Sequence, residues 1–297
     1  MQRVEKTGSP DSEKIARWQE WPGRQLFSAH LCVHKIALVV GALLLELTGA
    51  RAAVPGPIDM RIEMYGVTGL HVATTRTTEE ETANWYAITT DVESRGIASL
   101  LVDVKTHSQV HGRLNTDAAY PDAYFGEVHR NGADSYNRVD YAADGTVSGG
   151  ATPPTVAPVS VTPALTRGTI DQLSAFFRVE RQLAHHGTCA LDIAVFDGRR
   201  RYDLHFSDGS PQILAATRLS NFAGPTQVCL MRRVAIAGFS DLDGRSEGAY
   251  EGTLWYAHLM PGDLVVPVQM EFRTEFGAIL GHLAELHGRG ANLRFSE

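Results

Sequence analysis

Three consecutive arginines after an Asp-Gly turn are the side chains of this sequence best suited to chemistry. They are Arg199, Arg200 and Arg201, and Tyr202 follows them. A guanidinium group can bind phosphate or carboxylate through two parallel hydrogen bonds, so these four residues predict a binding patch for an anionic head group. The alternative is that Arg201 and Asp203 pair with charges across a hairpin while the other two arginines are solvated, which is the usual fate of exposed charge.

Other patterns indicate no reaction, cofactor or metal. The chain has no HExxH, GxGxxG or P-loop motif. His107 and His111 share one face of a predicted strand but lie about 13 Å apart at ~3.3 Å per residue, which is too far to bind one metal ion. We therefore predict no catalytic residue, no cofactor and no metal site.

Alternation of apolar and polar residues with a period of two dominates the chain. It runs through residues 58–65, 98–105 and 264–273, which we predict as strands. Asx-Gly pairs between such runs favour tight hairpins, since both residues tolerate positive φ. These pairs are Asn131-Gly132, Asp144-Gly145, Asp197-Gly198, Asp208-Gly209 and Asp243-Gly244. The pattern predicts a mainly β fold, with one strongly curved, half-barrel-like antiparallel sheet and one amphipathic helix packed on its concave face.

The predicted helix covers residues 170–184. Either Thr169 and Gln172 form a capping box or Asp171 caps the helix alone, since both arrangements place a side-chain oxygen on free N–H groups. Apolar residues recur along the segment at helical spacing. A helix of this length is marginal in water, so it must dock on the sheet to persist.

Two adjacent phenylalanines supply most of the apolar area of this helix. Phe176 and Phe177 are expected to cover the concave face of the sheet and to control access to it. We add both to the four residues of the arginine segment as candidate ligand-binding residues.

An export signal is predicted near the start of the chain. A short cationic start, a run of ten apolar residues and an Ala-Arg-Ala triplet make residues 33–52 a cleavable signal peptide. A membrane-spanning helix would need roughly 20 apolar residues. We expect residues 1–32 to be a misannotated or disordered extension. Residues 53–297 are then a single periplasmic β domain without a membrane span, and the four prolines in residues 149–163 predict a long loop within it.

Two cysteines remain after this leader, Cys189 and Cys229. In an oxidising compartment they have one possible pairing, so we predict a disulfide between them. The alternative is a pair of buried free thiols.

The order of several short motifs resembles the DUF3108 family. These are MYGVTG at residues 64–69, YPDAY at 120–124, GTIDQLS at 168–174, FDGRRRYDL at 196–204 and AGP at 223–225. The resemblance covers nearly all of the chain after residue 53. Gln172 departs from the pattern, because relatives often have proline as the first helical residue. The resemblance implies an exported bacterial protein and brings no known reaction with it.

Function is predicted mainly by exclusion. Residues 53–297 carry 20 basic and 29 acidic residues, and a net charge of −9 argues against nucleic-acid binding. We predict a non-enzymatic cell-envelope protein that binds a lipid or another apolar or amphipathic ligand, or an envelope protein, between sheet and helix. The alternative is a hydrolase that acts on envelope components through dispersed carboxylates and histidines.

The first test concerns processing. Protein secreted by its native host should begin at Ala53 or within a few residues of it, because signal peptidase cleaves after small residues such as those at 50 and 52. N-terminal sequencing checks this. Recovery of an intact N-terminus on cytosolic protein would contradict it.

Overall fold

The structure is a computed structural model that describes residues 56–296, except 67, 97, 102, 116–117, 155–156, 240–249, 261–263 and 275–276. The predicted extension at 1–32, the predicted signal peptide at 33–52 and the predicted turn at Asp243-Gly244 lie outside the described residues.

Strands make up most of the described chain. They are β1 (Ile58–Tyr65), β2 (His71–Glu81), β3 (Trp85–Ser94), β4 (Val104–Leu114), β5 (Ala119–Arg130), β6 (Ala133–Tyr141), β7 (Val147–Thr152), β8 (Leu191–Phe196), β9 (Arg201–Asp208), β10 (Gln212–Leu214), β11 (Gly224–Ala237), β12 (Tyr250–Ala257), β13 (Val266–Thr274), β14 (Gly277–Gly288) and β15 (Ala291–Arg294). The helices are α1 (Ala98–Leu101), α2 (Pro163–Thr166) and α3 (Gln172–His186).

All of these strands belong to one large antiparallel sheet. Its order is β7-β6-β5-β4-β3-β2-β1-β14-β13-β12-β11-β9-β8, with β10 paired to β11 and β15 paired to β14. The first and last strands of this order, β7 and β8, do not pair with each other, so the described sheet is not closed. The predicted mainly antiparallel β fold is confirmed at this level.

Alternation correctly predicted strand β1, whose even-numbered residues from Ile58 point to one face. It was wrong for residues 98–105, where Ala98–Leu101 is a helical turn and the strand begins only at Val104. The chain needs this segment to connect β3 to β4. The Ser94 hydroxyl accepts a hydrogen bond from the Val104 N–H, at 3.0 Å, and closes the connection.

Helix α3 begins and ends two residues later than the predicted range. Asp171 is its N-cap and accepts a hydrogen bond from the Ser174 N–H at 2.9 Å. The hydroxyl of Thr169 instead donates to the Thr166 carbonyl at 2.7 Å, so the single-residue cap is the arrangement observed. Gly187 ends the helix at φ 68°, a left-handed conformation that glycine adopts without steric cost.

The loop before the helix is shorter than predicted. The first residues of the predicted loop at 149–163 belong to strand β7, which continues to Thr152. Hydrogen bonds from this strand to β6 hold the glycines of that region in the sheet. The helical turn α2 follows at Pro163.

Helix α3 packs on one face of the sheet and contacts strands from both halves of it. Ala175, Val179 and Leu183 recur every four residues and enter a buried cluster with β8, β9, β11 and β12. Phe177 enters a second buried cluster with β3, β4, β5, β6 and β7. One helix therefore joins two apolar cores that distant strands form.

Two kinds of bond fix the start of the helix. Ile170 forms a parallel bridge to the free edge of β8, with its N–H donating to the Ala194 carbonyl at 3.0 Å. The Ser174 hydroxyl lies 2.7 Å from the Tyr86 hydroxyl on β3 and donates to the Asp171 carboxylate at 2.6 Å. The helix start is thus bonded to β8 and to β3, which lie far apart in the sheet order.

The turn between β8 and β9 also approaches the far end of the sheet. A Cβ atom at Gly198 would lie 3.1 Å from the Asn137 Cβ on β6 and 3.4 Å from the Gly150 carbonyl oxygen on β7. Gly198 has φ 88°, so both its backbone conformation and its surroundings favour glycine.

The predicted disulfide between Cys189 and Cys229 is present. The two Cα atoms lie 5.7 Å apart, within the usual range for a disulfide. Cys189 follows the end of α3 and Cys229 lies within β11, so the bridge fixes the helix exit to the sheet. Closing a loop of this separation is worth roughly 4 kcal/mol in the chain-entropy model.

The second test concerns the helix cap. Asp171→Ala should lower the free energy of unfolding by about 2–4 kcal/mol, because it removes a cap and leaves the buried Ser174 hydroxyl without its acceptor. Tyr86→Phe, which removes only the last hydroxyl of the chain of bonds, should cost about 1 kcal/mol. Urea unfolding measures both. Equal values for the two variants would contradict the assigned role of Asp171.

Candidate functional site

The arginine segment forms a turn around one buried carboxylate. Asp197 is 2% exposed and accepts hydrogen bonds from the N–H groups of Arg199 and Arg200, at 2.9 and 2.6 Å. The Arg200 Nε also donates to it at 3.0 Å. Arg200 lies 5.9 Å from the centre of the Phe239 ring, a cation–π distance. The Asp197 carboxylate thus neutralises part of the positive charge of the arginine segment.

The remaining members of the predicted patch face different surroundings. Arg201 pairs with Asp203 at 2.7 Å and donates to the Leu165 carbonyl at 2.9 Å. Tyr202 is buried in the core and donates to the Gln172 side chain at 3.4 Å. The structure therefore does not bring the four residues together on one open surface.

Arg199 lines a cleft of about 620 Å³ beside this turn. The cleft lies between strand β7, the proline-containing segment that follows it and the β8–β9 turn. Its walls are mostly backbone and small side chains, including Gly149, Gly150 and Ala151. Arg199 is the one arginine of the predicted patch on this cleft.

The two predicted phenylalanines contact opposite parts of the sheet. Phe177 is buried and stacks on Tyr86, with ring centres 5.1 Å apart. Phe176 is half-buried and meets Phe206 of β9 edge to face at 5.9 Å. Phe177 is a core residue, whereas Phe176 contacts the core but keeps part of its surface accessible.

The core face of the sheet is not completely filled. Cross-strand partners point to the same face, and Thr77 pairs with Met60 and Thr90, which places all three on the face that α3 covers. Several residues of this face are only half-buried, and we call them the inward strip. They are Thr75, Thr77, Thr90, Ser108, Met270 and Phe272. The strip combines hydroxyl groups with large apolar side chains.

Strand β2 continues this face with two carboxylates. Glu79 pairs with Ile58 and Ile88, and Glu81 pairs with Tyr86, so both glutamates point to the core face. Burial and the neighbouring Glu81 raise the pKa of Glu79 to about 7. Burial, Glu79 and Glu81 raise the pKa of Glu180 on α3 well above its usual value. Three carboxylates from the sheet and the helix thus lie within electrostatic range of one another.

Sequence reasoning missed this cluster. Residues 74–81 read TTRTTEEE, which is polar on both faces and lacks the apolar alternation of a half-buried strand. Only the pairing register of the strands shows that Glu79 points inward, because its neighbours β1 and β3 are apolar on that face. Glu180 lies about 100 residues away, and only the docked helix brings it close.

A second buried polar cluster lies on the opposite face of β1 and β2. Glu63 accepts a hydrogen bond from Thr74 at 2.6 Å and contacts His71 Nε2 at 2.7 Å. His282, the cross-strand neighbour of Glu63 on β14, is 3% exposed. Desolvation lowers the pKa of both histidines, so both favour the neutral form.

Neither polar cluster provides a metal site. Within the described ranges, no group of three or more His, Cys, Asp or Glu residues is placed to hold a metal ion. His107 instead contacts Asp91 at 2.8 Å on the surface. None of the helices that the structure describes is long and apolar enough to cross a membrane.

The segment 244–248 reads GRSEG and matches the G-x-S-x-G pattern of serine hydrolases, but it lies outside the described residues. The strands on either side of it, β11 and β12, are antiparallel neighbours. The nucleophile of a hydrolase elbow instead follows a strand and precedes a helix. We assign no catalytic role to this pattern.

A family model described as "Protein of unknown function (DUF3108)" matches residues 60–284. The chain belongs to this family, as the order of its sequence motifs predicted. The description assigns no reaction or ligand. No curated protein matches the chain.

Two solved structures share weak similarity with the chain. A β-barrel-like protein of the DUF1849 domain from Brucella abortus is 12% identical, with a TM-score of 0.47, and the match covers 80% of this chain and 100% of that one. A protein named as a lipoprotein from Parabacteroides distasonis is 10% identical, with a TM-score of 0.30, and the match covers 78% of this chain and 95% of that one. Neither similarity supports a functional argument.

The third test concerns the inward carboxylates. The folded-state pKa of Glu79 is about 7, above the usual 4.5, so its contribution to stability is complete below pH 4.5 and is lost as the pH rises through 7. The raised pKa of Glu180 also makes the protein less stable as the pH rises. The lowered pKa values of His71 and His282 act in the opposite direction, so wild type must be compared with a variant.

We expect Glu79→Gln/Glu180→Gln to gain stability relative to wild type between pH 5 and pH 8, on the order of 2 kcal/mol, because one pKa unit corresponds to about 1.4 kcal/mol. Urea unfolding at a series of pH values measures the difference. Glu80→Gln is the matched control, since this exposed residue points to the other face. Parallel stability curves for wild type and the double variant would refute the assignment.

Proposed function

We propose that the chain is an exported cell-envelope protein that binds an amphipathic ligand between its sheet and helix α3, without catalysing a reaction. The observation that carries this proposal is the inward strip. Its residues share a face with fully buried core residues, yet they keep accessible surface. A partly apolar, partly polar inner surface is typical of small-molecule sites.

We further propose that the sheet is curved into a half barrel with α3 on its concave side. Two contacts support this shape. The β8–β9 turn approaches β6 and β7, and α3 packs on strands near both ends of the sheet order. A flat sheet of this many strands could not bring its ends to one helix. Strong curvature would place the inward strip inside a groove.

Export to the periplasm is supported by the disulfide and by the signal-like N-terminal sequence. Structural disulfides form and persist in oxidising compartments and are rare in the cytosol. The Cys189–Cys229 bridge is buried, since the two residues are 1% and 0% exposed. A buried bridge of this kind has a structural role rather than a redox role.

A hydrolase of envelope components is the second candidate. The observation that favours it is the convergence of Glu79 and Glu180, because carboxylates with raised pKa values can act as general acids. Such an enzyme should release new products from bound envelope lipids or glycans over time. We expect no such release, and mass spectrometry of the incubated mixture would detect it.

The fourth test identifies the ligand and its position. Protein expressed in the periplasm should release a bound amphipathic compound on solvent extraction, and mass spectrometry should identify it. Thr90→Phe should reduce the amount bound several-fold, because its ring would fill the inward strip. Thr89→Phe places the same ring on the opposite face of β3 and should retain the ligand.

Two results would count against the proposal. One is an extract without any compound that co-purifies at a fixed ratio to protein. The other is equal loss of ligand in Thr90→Phe and Thr89→Phe, since that would indicate damage to the sheet rather than occupation of the groove.

A further inference from the structure

Several charged side chains surround Glu81, where helix α3 contacts strand β2. Glu81 binds two cations, Arg181 of α3 and Arg289 after β14, each at 3.0 Å from a different carboxylate oxygen. Glu79 and Glu180 lie close enough to Glu81 for their charges to interact, and Arg289 also acts on Glu79. Three carboxylates and two guanidinium groups leave one negative charge in excess when all five are ionised.

The two remaining carboxylates lack partners of their own. Neither Glu79 nor Glu180 makes a hydrogen bond or an ion pair with another residue in the part of the chain that the structure describes. Both are half-buried, so a ligand on the core face could reach them. Buried or partly buried charge without a partner is costly, and proteins retain it mainly where it has a use.

An independent feature points to the same place. Tyr256 of β12 is 1% exposed, and its hydroxyl has no hydrogen-bond partner among the described residues. Burial raises the pKa of Tyr256, and the charges of Glu180 and Glu79 raise it further, so both carboxylates lie within electrostatic range of this side chain. A buried tyrosine hydroxyl usually has a partner. This one can still bond to a ligand group near the glutamates.

Resting on the proposed function, we propose that Glu79, Glu180 and the Tyr256 hydroxyl bind the ammonium group of an amphipathic ligand whose chain lies along the inward strip. An ammonium group brings positive charge to this acidic cluster and supplies three N–H donors to two carboxylates and a hydroxyl. Glu79 directly continues the inward face of Thr75 and Thr77 on β2, so head-group site and chain site adjoin.

An organic cation fits this site better than a metal ion. The described residues contain no cluster of His, Cys, Asp or Glu that could hold a metal. The surroundings are apolar, since Val179, Leu183 and Leu254 belong to the same buried cluster as Tyr256.

The experiment compares probes of equal chain length. Binding of dodecylammonium, dodecanol and dodecyl sulfate to the oxidised protein is measured by calorimetry, below the micelle concentrations of the two ionic probes and below the solubility limit of dodecanol. Dodecylammonium should bind at least tenfold more tightly than the other two. Its affinity should rise between pH 5 and pH 8, as Glu79 ionises beside Glu81, Arg181 and Arg289.

Glu79→Gln/Glu180→Gln should lose about tenfold in affinity for dodecylammonium while its affinity for dodecanol stays the same. The rise with pH should vanish as well. Glu80→Gln removes one negative charge from the outer face of the same strand and should change none of these values. If the double variant does not fold, each single variant and the wild-type pH series still test the site.

Three outcomes overturn the inference. Equal affinity of wild type for dodecylammonium and dodecanol would remove the ammonium site but leave the proposed groove intact. Equal losses in Glu80→Gln and in the double variant would reduce the effect to general attraction by an acidic protein. Failure of all three probes to bind would refute the proposed function together with the inference.

Discussion

The buried hydrogen-bond chain from Asp171 through Ser174 to Tyr86 is the interaction on which the rest of the structure depends. Asp171 and Ser174 are both 0% exposed, so the bonds between them form in a medium where an unmade bond is costly. Burial also raises the pKa of Asp171, while its hydrogen bonds to Ser174 act in the opposite direction. Together with the bridge from Ile170 to β8, this chain joins two distant parts of one sheet.

The position of the helix then determines what remains of the core face. Val179 and Leu183 fill the space above β8 to β12, and Phe177 fills the space above β3 to β7. The disulfide fixes the other end of the helix to β11. The same face also carries the half-buried residues of the inward strip. Arg181, the residue after Glu180, joins the helix to Glu81 of β2 at 3.0 Å.

Local sequence predicted those features that local physics determines. Strand β1 and the Cys189–Cys229 pair follow from alternation and from the scarcity of cysteine, and Asp171 was one of the two caps that capping chemistry allowed. The inward position of Glu79 could not be predicted, because it depends on register between strands that are polar on both faces. The arginine segment could not be predicted in full either, since the buried position of Asp197 depends on how the turn packs against β6 and β7.

Hydrogen exchange of native protein, followed by mass spectrometry, tests most directly whether the helix is an integral part of the fold. Amide hydrogens in residues 175–186 should exchange with the same free energy as those of β4 and β9, because the helix can open only when the sheet it joins also opens. The account would be contradicted if the free energy of exchange of the helix amides were several kcal/mol lower than that of the amides in β4 and β9, while these strands stayed protected.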